Sequence, residues 1–189
     1  MSEGKSQSDK INRKNLLRSI TYIIIILAII GIIWLLPRVA LGTDTPFFSV
    51  SSESMVPTLN VGDYIVVKAV SFDELKAGPP PVGDIIVFHS PINPNEIIVH
   101  RICSIDYEHK TLKTWGDNNK GAIDPWTVTE EDIIGEYTGF KIPYLGYLAL
   151  LFPYPINYIL IITIVIIIFL IELSSEKKEK KIESSLFKY

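Results

Sequence analysis

The sequence predicts a mainly β domain flanked by two transmembrane helices, and three observations carry that expectation. Two uncharged, Ile/Leu-rich runs lie near the two ends of the 189-residue chain. Between them, short runs of β-branched and aromatic residues alternate with Gly, Pro and Asn, the pattern of strands and turns. No long segment with a 3.6-residue apolar period occurs before Tyr144. The length suits one domain with membrane segments and is too short for two full domains with them.

In chain order, residues 1–18 form a basic segment with Lys10, Arg13, Lys14 and Arg18. Residues 19–36 carry no charge; at about 1.5 Å per residue such a run covers roughly 27 Å, close to the hydrocarbon thickness of a bilayer. A cleaved secretory signal is the competing reading, but its apolar region is normally about 7–15 residues, followed by a small-x-small site. This run is longer and meets Pro37-Arg38, which favours an uncleaved anchor; Val39-Ala40-Leu41-Gly42 keeps the cleaved alternative open.

Residues 37–155 form the predicted β-rich domain, of an ordinary single-domain size. Strands are expected at 64–67 (Tyr-Ile-Val-Val), 84–88 (Asp-Ile-Ile-Val-Phe), 96–102 (Glu-Ile-Ile-Val-His-Arg-Ile) and 111–115 (Thr-Leu-Lys-Thr-Trp). The tract 77–81, with three consecutive prolines, reads as a rigid surface loop. Pro153 and Pro155 then separate an apolar stretch from a second run, 156–171, inside an expected helix over 156–173. That run has no polar face, so a spanning helix is expected, with a buried or interfacial helix as the alternative. Residues 174–189 are a basic tail with Lys177, Lys178, Lys180 and Lys181. Positive flanks stay cytoplasmic, so both ends lie inside and the acidic middle lies outside or in a lumen. The expected localisation is a multi-pass protein of the cell membrane, or of the endoplasmic-reticulum membrane in a eukaryote, with its domain on the extracytoplasmic side.

A net charge of -3 gives no reason to expect a nucleic-acid partner. The single cysteine, Cys103, excludes an intrachain disulfide. One Cys and three scattered His do not make a structural zinc site, and no His-Glu-x-x-His pattern is present. No metal or cofactor is expected.

Three segments carry possible chemistry. Ser54 lies in Ser52-Glu53-Ser54-Met55-Val56-Pro57, a loop followed by Gly62-Asp63; a serine hydroxyl becomes a useful nucleophile only when a base takes its proton. His100 lies in a predicted strand, where alternation puts it with Ile98 and Ile102 on one face and Ile97, Val99 and Arg101 on the other. An imidazole, with an ordinary pKa of about 6.5, suits proton transfer near neutrality, although a lone strand histidine is more often simply packed. Asp117 and Asp124 lie in and after Gly116-Asp117-Asn118-Asn119, and either could hold a histidine in one tautomer.

Taken in order, Ser-Glu-Ser-Met-x-Pro, Gly-Asp, Gly-Asp-Ile-Ile-Val-Phe, Ile-Val-His-Arg-Ile and Gly-Asp-Asn-Asn resemble the boxes of type I signal peptidases, over about residues 52–124. Ile134-Gly135 and residues 139–146 resemble that family's closing segment. The bacterial branch has a lysine base where this chain has His100-Arg101. The sequence is therefore similar to the Ser–His branch of the endoplasmic reticulum and archaea. The resemblance implies a signal-peptidase/LexA-like β fold and a membrane-bound serine endopeptidase cutting after small residues. It implies Ser54 as nucleophile, His100 as general base, Asp124 or Asp117 as the orienting carboxylate, and Ser52 with the Ser54 N–H as oxyanion donors. The two aspartates stand seven residues apart, wider than usual for the family, and Asp124 is preferred. Implied partners are signal-peptide-bearing preproteins and the lipid bilayer, with the secretory translocon open as a third. The alternatives are a non-catalytic or accessory membrane subunit of a processing or translocation complex, and a self-cleaving repressor protease of related fold, whose Ser–Lys dyad and DNA-binding domain are not seen in this sequence.

Overall fold

In the computed structural model, residues 3–151, 163–164 and 166–168 are described. The first apolar run lies in one helix, α1 (Glu3–Leu41), whose stretch Ile20–Leu41 is long and apolar enough to cross a membrane, with a mean hydropathy of 2.7. The helix runs past the expected end at residue 36 and takes in Pro37. Proline costs a helix a hydrogen bond there but does not always end it; the next residue, Arg38, holds its guanidinium 4.7 Å from the Trp34 ring one turn back. Gly42 then stops the helix, with a φ of +68° that favours glycine. The Leu41 carbonyl accepts a hydrogen bond from the Ala69 N–H at 2.7 Å, which ties the end of α1 to the β domain.

The domain is built on one antiparallel sheet of seven strands: β1 (Phe47–Ser49), β2 (Tyr64–Lys68), β3 (Ile85–His89), β4 (Ile97–Asp106), β5 (Thr111–Trp115), β6 (Val128–Thr129) and β7 (Ile133–Ile142). Their spatial order is β1-β2-β7-β3-β4-β5-β6. The four strands expected from the sequence are present as β2, β3, β4 and β5. A short helix, α2 (Gly146–Leu151), follows β7. The second apolar run, 156–171, and the tail, 174–189, lie outside the described residues apart from 163–164 and 166–168, which are helical.

Both faces of the sheet are covered, and alternation along β3 explains how. Ile85 and Val87 point into one core with Val50, Met55, Leu59, Ile65 and Val67. Ile86 and Phe88 point into the other with Phe72, Leu75, Ile102, Leu112 and Val128. A strand buried on both sides reads as a continuous apolar run. Each such side chain contributes about 1.5–3 kcal/mol on burial.

The long strand β7 is central, between β2 and β3, yet its sequence Ile-Ile-Gly-Glu-Tyr-Thr-Gly-Phe-Lys-Ile has no clean alternation. Gly135 is needed there because a Cβ would sit 2.4 Å from the Lys68 carbonyl oxygen of the neighbouring strand. The 77–81 tract is a surface loop as expected, anchored where the Gly78 N–H bonds the Ile102 carbonyl at 3.0 Å.

Candidate active site

The connection from β1 to β2 is a loop with a closed neck. The Val50 N–H donates to the Asp63 carbonyl, and the Gly62 N–H to the Val50 carbonyl, both at 2.9 Å. Within the loop, Val56 N–H reaches the Glu53 carbonyl and Leu59 N–H the Met55 carbonyl, which forms a tight turn. Met55 and Leu59 are plugged into the core at 1% and 0% exposure. Ser54 precedes the first plug, so its half-buried side chain is fixed at the rim of the domain.

On β4, register puts His100 opposite Ile86 of β3. Its Nε2 lies 3.1 Å from Ser54 Oγ and its Nδ1 lies 2.6 Å from Asp124 Oδ2. Thr114 Oγ1 donates to the same Asp124 oxygen at 2.7 Å, and the Asp124 N–H bonds the Thr114 carbonyl. The imidazole and carboxylate side chains are only 8% and 6% exposed. An ionised carboxylate is acceptor-only, so His100 Nδ1 must carry the proton. Nε2 is then left with its lone pair toward Ser54, ready to accept the hydroxyl proton. Ser52 Oγ lies 3.2 Å from Ser54 Oγ on the exposed side. The structure thus brings Ser52, Ser54, His100 and Asp124 together.

Asp117, the other candidate carboxylate, does not bond the histidine. It is gripped by Arg101, Nε to Oδ1 and Nη2 to Oδ2, each at 2.7 Å, and Thr58 Oγ1 donates to Oδ2 at 2.5 Å. Arg101 also donates through Nη1 to the Gly83 carbonyl. Burial works to raise the Asp117 pKa, but the Arg101 and Thr58 hydrogen bonds and the Arg101 charge outweigh it and hold the carboxyl below its ordinary value. The spacing of residues explains the division of labour. His100 and Arg101 are adjacent on a strand and point to opposite faces, so each takes its own aspartate.

The turn after β5 buttresses the loop that carries Ser54. Asn118 N–H donates to the Ser54 carbonyl at 2.8 Å, and Asn118 Nδ2 to the Glu53 carbonyl at 3.1 Å. A Cβ on Gly116 would lie 2.5 Å from the Ser54 carbonyl oxygen, so glycine is required for this approach. On the other side Lys141 of β7 pairs with buried Asp63 at 2.6 Å and donates to the Thr58 carbonyl at 3.0 Å.

Sequence reasoning gave no role to Arg101, Thr58, Thr114 or Lys141. Only Arg101 left a usable signal: a charged residue on the core-facing side of a strand needs a buried partner, and Asp117 was at hand. Lys68 is half exposed and paired with Glu136 at 3.1 Å. Cys103 is not an activated thiol; burial pushes its pKa up.

Residues 16–111 match the family model described as signal peptidase, peptidase S26, a stretch that includes Ser54 and His100. Signal peptidase I W of Bacillus subtilis is 39% identical over 98 residues, which is 50% of this chain and 47% of that protein. The chain thus spans about half the length of that relative. The signal peptidase complex catalytic subunit sec11 of Schizosaccharomyces pombe is 36% identical over 135 residues, covering 60% of this chain and 70% of the relative. The corresponding SEC11 subunit of Plasmodium falciparum is 31% identical over 151 residues, covering 74% and 76%. With half of the chain under the family model and most of two sec11 subunits aligned to it, the chain belongs to the signal peptidase family, peptidase S26, on its Sec11-like side.

Proposed function

We propose that this chain is a membrane-anchored serine endopeptidase that removes N-terminal signal peptides from secreted and membrane preproteins. The single observation that carries the reading is the imidazole of His100, hydrogen-bonded on one side to Ser54 and on the other to Asp124. A non-catalytic subunit has no need of that buried, charged arrangement, so the accessory reading is set aside.

Ser54 Oγ attacks the carbonyl carbon of the scissile bond while His100 Nε2 takes its proton. Asp124 holds the imidazole in the required tautomer and stabilises the imidazolium. The Ser54 N–H and the Ser52 hydroxyl donate to the oxyanion; one such donor is worth about 3–4 kcal/mol of transition-state stabilisation. His100 returns the proton to the leaving amine, the mature protein departs, and the signal peptide remains as an ester on Ser54. Water then gives a proton to His100 and attacks that ester, and His100 returns the proton to Ser54 Oγ as the signal peptide is freed. Family likeness supports small residues at the first and third positions before the cut.

The anchoring helix supports a site held near the outer membrane surface, where a tethered substrate reaches a high effective concentration. In this reading residues 1–18 and 174–189 are cytoplasmic, 19–36 and 156–173 span, and 37–155 form the extracytoplasmic domain. The relatives named as subunits of a signal peptidase complex support work beside other subunits. The test is cleavage of a preprotein by the full chain in detergent, read by the mass of the mature product. One cut after a small residue is expected, lost when that residue is replaced by Phe. No cleavage, or cleavage indifferent to that change, would overturn the proposal.

A further inference from the structure

Thr58 stands four residues after Ser54 and is held from two sides. Its hydroxyl donates to Asp117, which is clamped by Arg101 of the histidine's strand. Its carbonyl accepts from Lys141, which also pairs with Asp63 at the loop's neck. Asp63 Oδ2 in turn accepts the Asn60 N–H at 2.9 Å. The side chains of Arg101, Asp117 and Asp63 are 4%, 2% and 4% exposed, so both ion pairs are fixed points within the domain.

From this we infer that Thr58 is a positioning residue for the proposed reaction. It suspends the turn carrying Ser54 between the Arg101–Asp117 and Lys141–Asp63 pairs and so sets the distance from Ser54 Oγ to His100 Nε2. The pairs reach it by different routes. The hydroxyl link ties the loop to β4, the strand that carries His100, and the carbonyl link ties it to β7. The Ser54 loop is covalently continuous with β1 and β2, three and two positions from β3 in the sheet, whereas His100 sits on the far side of β3. Without the hydroxyl link, nucleophile and base are joined mainly through the intervening strands and the Asn118 contacts. Reacting groups that shift by about 1 Å can lose on the order of a hundredfold in rate.

The inference rests on the proposed function, and its test keeps the two apart. Full-length chain in detergent is assayed on a peptide containing a signal-peptide cleavage site, with Ser54→Ala as the control for the proposed function itself. Thr58→Val keeps the shape and removes the donor; kcat should fall at least about tenfold with KM within about twofold. Thr58→Ser restores the donor and should return kcat to within about threefold. A merely structural threonine would lower the melting temperature without this split between kcat and KM and without rescue by serine. Should Thr58→Val not fold, Lys141→Met, which removes the carbonyl link together with the Lys141–Asp63 pair, is the second arm, and it should lower kcat in the same way with Lys141→Arg as its rescue. Folded Thr58→Val protein with kcat within twofold of wild type would overturn the inference, as would an unchanged kcat in Lys141→Met when the valine variant is unfolded.

Discussion

Asp124→Asn isolates the contribution of the carboxylate behind His100. Two donors, His100 Nδ1 and Thr114 Oγ1, converge on one oxygen of Asp124. The asparagine therefore has two ways to sit. With its carbonyl in that position it keeps both donors and the tautomer but loses the charge. Two unit charges about 4 Å apart interact by about 4 kcal/mol at an effective dielectric near 20, and the pair is too buried for water to screen it much further. That is about a thousandfold in kcat. With its amide turned toward the ring, the asparagine donates to Nδ1, the proton moves to Nε2, and the histidine can no longer accept from Ser54. A wrong tautomer in such a triad costs about ten-thousandfold. The expected loss is thus three to four decades in kcat, read on a peptide containing a cleavage site, with KM little changed. A variant that keeps its fold and stays within about tenfold of wild type would refute the role given to Asp124.

His100→Lys is expected to be inactive, because the carboxylate of Asp124 beside the new amine favours its protonated, non-basic form; robust cleavage by that variant would argue against the Ser–His pairing. Gly116→Ala forces a methyl group to within 2.5 Å of the Ser54 carbonyl; overpacking of this kind costs about 1–3 kcal/mol, and the displaced loop should lose about a hundredfold in kcat, checked by thermal unfolding beside kinetics. Asp117→Asn should destabilise the domain by about 3–5 kcal/mol near neutrality, as expected for a broken buried ion pair. Because the Asp117 carboxyl sits below its ordinary pKa in the fold, its stabilisation is present above the unfolded value of about 3.9 and is lost as pH falls through the lower folded value. Urea unfolding should therefore show the gap between wild type and Asp117→Asn narrowing below about pH 3.9, and a gap independent of pH would contradict it.

The parts of the molecule legible in the sequence are those where one local rule decides. β3 and β4 announce themselves because a strand covered on both faces is a run of Ile, Val and Phe, and the chain obeys that in Ile85, Ile86, Val87 and Phe88. The placement of His100 and Arg101 on opposite faces followed from alternation alone and holds in the fold. β7 was illegible as a strand because Gly135 serves a neighbour, the Lys68 carbonyl, and Gly139 takes a positive φ, neither of which a local pattern reveals. The helix α1 outruns its expected end because Pro37 is tolerated and Gly42 supplies the stop. The preference for Asp124 over Asp117 came from family resemblance, because no local pattern separates the two. Their partners, Arg101 and His100, are adjacent, and only the sheet's register decides which aspartate meets which. Thr58, Thr114 and Lys141 gave no warning because each acts through one or two polar contacts with residues 10 to 83 positions away.

The proposed reaction begins at the Ser54 hydroxyl, and removing that one oxygen is its most direct trial. Full-length wild type and Ser54→Ala, purified alike in detergent, are given the same preprotein, and the mature product is followed by mass. Wild type should release it with a single new N-terminus, and Ser54→Ala should release none above the uncatalysed background while unfolding at the same temperature. Mature product formed by Ser54→Ala at a comparable rate and at the same bond would contradict the account.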